Sequence, residues 1–277
     1  MNRRHPVDAA APGFHAGAKK HLGQNFLHER GVIAKIVQAI DPQPGDALVE
    51  IGPGQGALTF PLLERHGALT AIEFDRDLHA PLQAAARAHG ELRLIEGDVL
   101  GVDFTALAAE LDAPGGRIRL VGNLPYNLSS PILFHALAHA GAIADMHFML
   151  QKEVVERMAS AHGSKVYGRL TVMLQAFATV TPLFTVPPGA FRPAPKVDSA
   201  VVRLVPLPVA QVGIHDPALF AHVIRAAFGQ RRKTLRNALK GLADAPAIES
   251  AGISADARAE QIPVAAFVHL ANRLASG

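Results

Sequence analysis

Ala47-Leu48-Val49-Glu50-Ile51-Gly52-Pro53-Gly54-Gln55-Gly56-Ala57 is a short apolar run that stops at three closely spaced glycines, and a helix-like segment, Ala57 to Arg65, follows it. Strand, glycine turn and helix in that order open a βαβ unit. The glycines let the backbone approach a ligand closely, and the helix N-terminus offers unpaired N–H groups to an anionic group. The alternation continues outward from this stretch. Ala68 to Phe74 is followed by Leu78 to Ala88, Leu92 to Ile95 by Phe104 to Leu111, Ile118 to Val121 by Ser130 to Ala140, and Met146 to Leu150 by Glu153 to Ala161. These five steps predict an α/β fold, a doubly wound, mostly parallel sheet with helices on both faces. Leu170 to Val180 and Ser199 to Val205 are expected as edge strands, which can run antiparallel.

After Pro206 and Pro208 the strand signal ends. Pro217 to Phe228, Arg231 to Leu239 and Val264 to Leu274 have helical spacing, so the chain divides into an N-terminal extension (1–18), a sheet-containing domain (19–208) and a smaller helical domain (209–277). A length of 277 residues with 49% hydrophobic and 18% charged residues and a mean hydropathy of +0.18 suits a chain with a full core and excludes wholesale disorder. With no cysteine, disulfide scaffolds, thiolate zinc sites, iron–sulfur clusters and cysteine nucleophiles are excluded together. The longest uncharged stretches, Leu120 to Ala144 and Leu170 to Phe191, are interrupted by Asn123 and several prolines, and Met1 to Ala18 lacks an apolar signal core. No membrane span is expected, and the expected location is the cytoplasm.

The net charge is only +3, but residues 1–24 carry four Lys/Arg against one acid and residues 206–277 eight against five, while the middle is acidic by three. Basic ends around an acidic middle suggest that the ends meet a polyanion, although a solvated surface has the same composition. Arg225, Arg231, Arg232, Lys233, Arg236 and Lys240 fall within sixteen residues that contain no acid, a pattern suited to phosphate contact.

Glu73 closes the second strand 21 residues after Gly52, the offset at which an acid holds a ribose diol. Gly52, Gly54 and Ala57 also satisfy the looser G-x-G-x-x-A form, so NAD and S-adenosylmethionine both fit. Glu96-Gly97-Asp98 places another carboxylate at the same sheet edge, able to accept from an adenine amine or simply to cap a turn. Asn123-Leu124-Pro125-Tyr126 ends the fourth strand and has the chemistry that methylation of an amine needs. Pro125 restricts Leu124 to extended geometry, which can turn its carbonyl toward the site. With the Asn123 side-chain oxygen this makes two acceptors for the two hydrogens of an exocyclic amine, orienting the nitrogen lone pair and supporting the positive charge that develops. Tyr126 is placed to stack on a base. Asn and Pro also favour ordinary turns.

Lys20-His21-Leu22-Gly23-Gln24-Asn25-Phe26-Leu27, Glu50-Ile51-Gly52-Pro53-Gly54, Asn123-Leu124-Pro125-Tyr126, Phe191-Arg192-Pro193-Ala194-Pro195-Lys196-Val197-Asp198-Ser199 and Gln230-Arg231-Arg232-Lys233-Thr234-Leu235-Arg236-Asn237 together resemble the ribosomal RNA adenine N6-dimethyltransferases, most closely the bacterial small-subunit type. The resemblance runs from about residue 19 onward and implies a Rossmann-like methyltransferase domain that uses S-adenosyl-L-methionine. It implies that Asn25 and Leu27 line the methionine end of the cofactor, that Gly52 and Gly54 meet it through backbone, and that Glu73 holds the ribose and Asp98 the adenine amine. Asn123 would bridge cofactor and target amine, with Leu124, Pro125 and Tyr126 completing the catalytic group and Phe191 stacking on the base opposite Tyr126. Arg225, Arg231, Arg232, Lys233 and Arg236 would bind RNA. The implied partner is small-subunit rRNA or the pre-small ribosomal subunit, the implied state a monomer, and no metal is expected.

Competing constellations fail. No Gly-Lys dipeptide exists for a P-loop, and no G-x-S-x-G elbow is present. His135 and His139 are spaced like metalloprotease ligands, but Ala136 stands where the glutamate belongs. Lys152, Glu153 and Glu156 read as a solvated helix face. Three rivals remain: a large-subunit rRNA adenine methyltransferase, an RNA-binding assembly factor whose catalysis is dispensable, and an NAD-dependent dehydrogenase. The segment Arg231 to Asn237 argues against the first, intact Glu73 and Asn123 against the second, and the lack of a hydride-transfer site against the third.

Overall fold

The structure, a computed structural model, describes residues 17, 19, 23–230 and 232–276. The expected N-terminal extension, apart from Gly17, and Arg231 lie outside the described residues. In chain order the elements are β1 (Phe26–Leu27), α1 (Arg30–Ile40), β2 (Leu48–Ile51), α2 (Thr59–His66), β3 (Ala68–Glu73), α3 (Arg76–Ala86), β4 (Glu91–Glu96), α4 (Phe104–Glu110), β5 (Ile118–Asn123), α5 (Ser129–Ala138), β6 (Ile143–Gln151) and α6 (Lys152–Met158). They continue as α7 (Arg169–Gln175), β7 (Ala178–Val186), β8 (Phe191–Arg192), β9 (Ser199–Pro206), α8 (Val209–Val212), α9 (Pro217–Gly229), α10 (Leu235–Ala238), α11 (Ala245–Ser250) and α12 (Val264–Ala275).

Seven strands form one sheet in the order β4-β3-β2-β5-β6-β9-β7. The first five are parallel, and β9 pairs antiparallel with both β6 and β7. Every residue of β2 is buried, as a central parallel strand with helices on both faces requires. The chain winds from β2 out to β4 and then crosses back to β5, so the topological switch lies between β2 and β5, where such sheets open a crevice at the carboxyl ends of their strands. Close strand approach there depends on Gly122: a Cβ at this position would stand 2.4 Å from the Ile51 carbonyl oxygen. A separate two-stranded ribbon pairs Phe26 with Arg192 and Leu27 with Phe191.

Ser199 to Val205, expected at an edge, is β9 and lies inside the sheet between β6 and β7, in keeping with its nearly continuous burial, and two further predicted elements differ. The expected strand Leu170 to Val180 is instead helix α7 followed by the start of β7. Thr171, Val172 and Leu174 are buried, and Val172 and Ala176 join Tyr167 in the core of the C-terminal helices with Phe220, Ile224 and Phe267. That tertiary packing overrides the β-branched composition. The expected helix Arg231 to Leu239 narrows to α10, because Thr234 bridges Arg258 and the Leu235 and Arg236 N–H groups donate to the carbonyls of Ala257 and Ala255. The helical core thus draws on residues before 209, and the Tyr167 hydroxyl donates to the Ile262 carbonyl at 2.8 Å. Helix α9 starts as the sequence suggests, with Pro217 in the first turn and the Asp216 carboxylate accepting from Leu219 N–H at 2.9 Å. Among the described residues no helix is long and apolar enough to cross a membrane.

Candidate active site

The carboxyl ends of β2, β3, β4 and β5 open into a cleft lined by Asn25, Leu27, Gly52, Gly54, Glu73, Asp98, Asn123, Leu124, Pro125 and Tyr126, together with Gln24, Phe74, Val99 and Leu128. Ten of the eleven residues expected for cofactor or chemistry therefore share one wall or another of this cleft. Phe191 does not. It is 2% exposed and packs in the core opposite Leu27 in the ribbon, because burying its ring there gains more than presenting it to water. Arg225, Arg232, Lys233, Arg236 and Lys240 are exposed and none lines the cleft. Arg236 makes an exposed ion pair with Asp256 at 3.3 Å.

The glycine turn adopts backbone that other residues resist, with φ +67° at Gly52 and +57° at Gly54. Gly54 is doubly constrained, since a Cβ there would stand 3.2 Å from the Phe26 ring. Its N–H donates to Glu73 Oε2 at 3.0 Å, and Asp75 N–H donates to Glu73 Oε1 at 2.8 Å. Glu73 is 6% exposed. Burial raises its carboxyl above the ordinary range, while the two N–H donors pull it back. Beneath the turn, Glu50 is 1% exposed and accepts from the Thr59 hydroxyl at 2.6 Å. Burial pushes it up to about 8, so it is held as the neutral acid at pH 7. Asp98, exposed at the end of β4, uses one oxygen to cap the next turn through Leu100 N–H.

At the end of β5, Asn123 Nδ2 donates to the Asn25 carbonyl at 3.1 Å, which leaves Oδ1 as the acceptor of that amide. The turn beyond uses the carbonyls of Pro125 and Tyr126, which accept from Leu128 N–H and the Ser129 hydroxyl. The Leu124 carbonyl stays uncommitted among the described bonds. Tyr126 is fixed by a 2.7 Å hydroxyl contact with Ser199 Oγ, and burial raises its phenol above the ordinary value.

A family model for "Ribosomal RNA adenine dimethylase" matches residues 16–276. The chain belongs to the ribosomal RNA adenine dimethylase family. It is 68% identical over 259 residues to the ribosomal RNA small subunit methyltransferase A of Xanthomonas campestris pv. campestris (strain 8004), covering 94% of this chain and 97% of that one. The protein of the same name from Xanthomonas axonopodis pv. citri (strain 306) is 67% identical over the same length. Among solved structures, a dimethyladenosine transferase from Plasmodium falciparum superposes with a TM-score of 0.75 at 25% identity, over 88% of this chain and 95% of that chain. The 23S rRNA methyltransferase ErmE shares the fold with a TM-score of 0.68 at 24% identity, over 91% of this chain and all of that one.

As a member of the ribosomal RNA adenine dimethylase family, the chain is an S-adenosylmethionine-dependent methyltransferase. The cleft's donor set fits that cofactor. A buried carboxylate with lone pairs to spare, tight glycine backbone beside it, and apolar surface from Phe74, Val99 and Leu128 line the same cleft, a set able to accept from hydroxyls and to receive a flat apolar ring. Phe74 escaped the sequence reading. It is 61% exposed, and its only signal was an aromatic directly after the strand-end acid.

Proposed function

We propose that this enzyme dimethylates N6 of two adjacent adenosines in a 3′-terminal hairpin loop of small-subunit rRNA during assembly of the small subunit. The observation that carries the reading is the pair of acceptors at the end of β5, Asn123 Oδ1 and the Leu124 carbonyl, at the wall of a cleft suited to the methyl donor. When bound, the cofactor supplies an electrophilic methyl on a sulfonium. The residues of the chain do the rest. Asn25, Leu27, Gly52 and Gly54 hold its methionine end and backbone-facing groups, Glu73 accepts from the ribose hydroxyls, and Asp98 accepts from the adenine amine through the oxygen not engaged by Leu100.

Asn123 Oδ1 and the Leu124 carbonyl each accept one hydrogen of the target amine, so its lone pair points at the methyl and the growing positive charge meets two preorganised dipoles. The cationic amine gives up its proton to water after the transfer, so no strong base is needed at the attacking step. In the second transfer only one hydrogen remains to grip, and the site accommodates a methyl in place of the other. Tyr126 stacks on the base. Phe191, buried in the core, takes the opposite face only if β8 shifts it out, so the reading assigns the stacking to Tyr126 alone. Arg225, Arg232, Lys233 and Arg236, with Arg231 from the sequence, neutralise phosphates.

The cytoplasm is the proposed compartment and a monomer the proposed state. The test is nucleoside mass spectrometry of unmodified small subunits and, separately, large-subunit RNA, after incubation with the protein and methyl-labelled S-adenosylmethionine. N6,N6-dimethyladenosine in the small-subunit RNA alone is expected. Label in large-subunit RNA alone would replace this reading with the large-subunit one.

A further inference from the structure

Ser199 opens β9 at 0% exposure, ahead of the buried apolar run Ala200, Val201 and Val202. A hydroxyl in such a place needs a partner, because burying one without a hydrogen bond is costly. Its partner is the phenol of Tyr126, at 2.7 Å. Ser199 itself is held firmly. Its backbone stands in register between Gln151 of β6 and Val186 of β7, and the Asp198 carbonyl before it accepts from Lys152 N–H at 2.9 Å. Tyr126 lies instead in the turn between β5 and α5. There the Pro125 carbonyl accepts from Leu128 N–H at 3.0 Å and the Tyr126 carbonyl from the Ser129 hydroxyl at 3.1 Å. Those bonds fix the main chain of the turn and leave the angle of the ring to Ser199 Oγ. Of the pair, Tyr126 lines the cleft and Ser199 does not.

We infer that Ser199 is a positioning residue for the second methyl transfer, acting through the ring angle of Tyr126. This role rests on the reading of Tyr126 as the ring that stacks on the target base. In the first transfer two acceptors, Asn123 Oδ1 and the Leu124 carbonyl, grip the amine and together fix the plane of the base. Once a methyl has been added a single N–H is left, and the base can pivot about one hydrogen bond. Its plane must then be set by the stack. With Phe191 in the core, 2% exposed, the stack falls to Tyr126, whose angle Ser199 holds. The chemistry is the same in both rounds: N6 bonds to the methyl carbon as the carbon–sulfur bond breaks, the electron pair stays on sulfur, and the proton of the cationic amine passes to water. A tilted lone pair slows that step through orientation alone. In the sequence Ser199 reads as the first residue of a strand, and only its contact with a residue 73 positions away distinguishes this use.

The experiment is single-turnover methylation of unmodified small subunits by the full-length protein at saturating S-adenosylmethionine, with N6-methyladenosine and N6,N6-dimethyladenosine resolved over time by nucleoside mass spectrometry. Ser199→Ala and Tyr126→Phe each remove one side of the contact and keep the ring. In both, the first methyl is expected within about threefold of the parental rate and the second about tenfold slower, as loss of one hydrogen bond allows, so the monomethylated nucleoside accumulates. The double variant should be no slower than the slower single one, because both changes remove the same contact. Cofactor affinity by calorimetry should stay within about twofold of the parent. A parental product ratio in both single variants, equal slowing of the two methyls, or effects that multiply in the double variant would overturn the role of Ser199. Accumulation in Tyr126→Phe alone would also overturn it, because the phenol would then act on the substrate directly. Ser199→Cys, whose thiol is a weak hydrogen-bond partner, takes the place of the alanine variant if that one does not fold. Tyr126→Ala is the separate control. If it adds both methyls at the parental rates, the stacking reading itself fails, whereas slow transfer in Tyr126→Ala with a parental product ratio in Ser199→Ala rejects only the part played by Ser199.

Discussion

Asn123 Nδ2 donates to the backbone carbonyl of Asn25 at 3.1 Å, joining residues 98 positions apart in the chain. The bond decides which way the Asn123 amide faces, because the nitrogen is engaged and the oxygen is left to accept. It also gives one residue two duties in the proposed reaction, holding the segment before α1 through Asn25 and accepting from the target amine. Asn123→Asp separates these duties. An aspartate keeps an acceptor for the amine but sets oxygen against the Asn25 carbonyl, so KM for S-adenosylmethionine should rise about tenfold or more, while kcat falls less than it does for alanine. Steady-state kinetics with varied cofactor measure both. An unchanged KM would mean that the Asn25 contact does not matter to binding.

Phe74 offers an exposed ring beside Glu73 at the cleft wall. Stacking on an adenine contributes about 0.5 to 1.5 kcal/mol beyond area burial. Phe74→Ala should therefore weaken cofactor binding by roughly two- to tenfold and leave Tm within about a degree, since no packed core is disturbed. Calorimetric titration and a thermal scan check the two halves. A large loss of Tm with full binding would make Phe74 a structural residue.

Much of the cleft is legible in the sequence for a simple reason. Gly52, Glu73 and Asn123 end or directly follow a strand and Asp98 comes two residues after one, and in a parallel sheet the strand ends converge on one edge. What escaped depends on partners distant in sequence. The burial of Phe191 is set by Leu27, and the engagement of Asp75 by Lys19 and Gln24, and neither pairing leaves a local pattern. The strand expected over Leu170 to Val180 failed in the same way. Its Val and Thr residues suit a strand, and only the packing of Val172 and Ala176 against the C-terminal helices makes the first half helical.

The exposed cations of the helical region make a prediction about salt. Replacing Arg225, Arg232 and Lys233 by Ala should weaken RNA binding with little dependence on sequence, and should lower the slope of log affinity against log salt by roughly 0.7 to 0.9 per lost phosphate contact. Cofactor affinity should not move, because none of the three lines the cleft. Filter binding across a salt series provides the measurement, and an unaltered slope would return these residues to a solvated face.

His147, buried in β6, gives the fold a pH dependence. Burial pushes its imidazole down to about 4, with Asp145 opposing the shift and Arg119 and Arg203 reinforcing it. In the unfolded chain a histidine titrates near 6.5. The unfolded state therefore binds the proton first as pH falls, so the stability that His147 contributes is complete above about 6.5 and is lost as pH drops toward 4. The loss is on the order of 3 kcal/mol. Asp145, held low by Arg119, adds a loss only below the ordinary carboxylate range. Urea melts of the parent between pH 7 and 4.5 should show falling stability, and those of His147→Gln a flatter curve. Parallel curves would remove His147 as the cause.

The central claim is that Asn123 acts in the transfer step by gripping the target amine. Single-turnover methylation of unmodified small subunits by Asn123→Ala, at saturating S-adenosylmethionine and with the two methyl additions resolved by nucleoside mass spectrometry, tests it most directly. Removing one preorganised acceptor should slow transfer by about 10²- to 10³-fold while RNA affinity, set by distant phosphate contacts, stays near the parental value. Transfer of both methyls at the parental rate would contradict the account and leave Asn123-Leu124-Pro125-Tyr126 as no more than a turn.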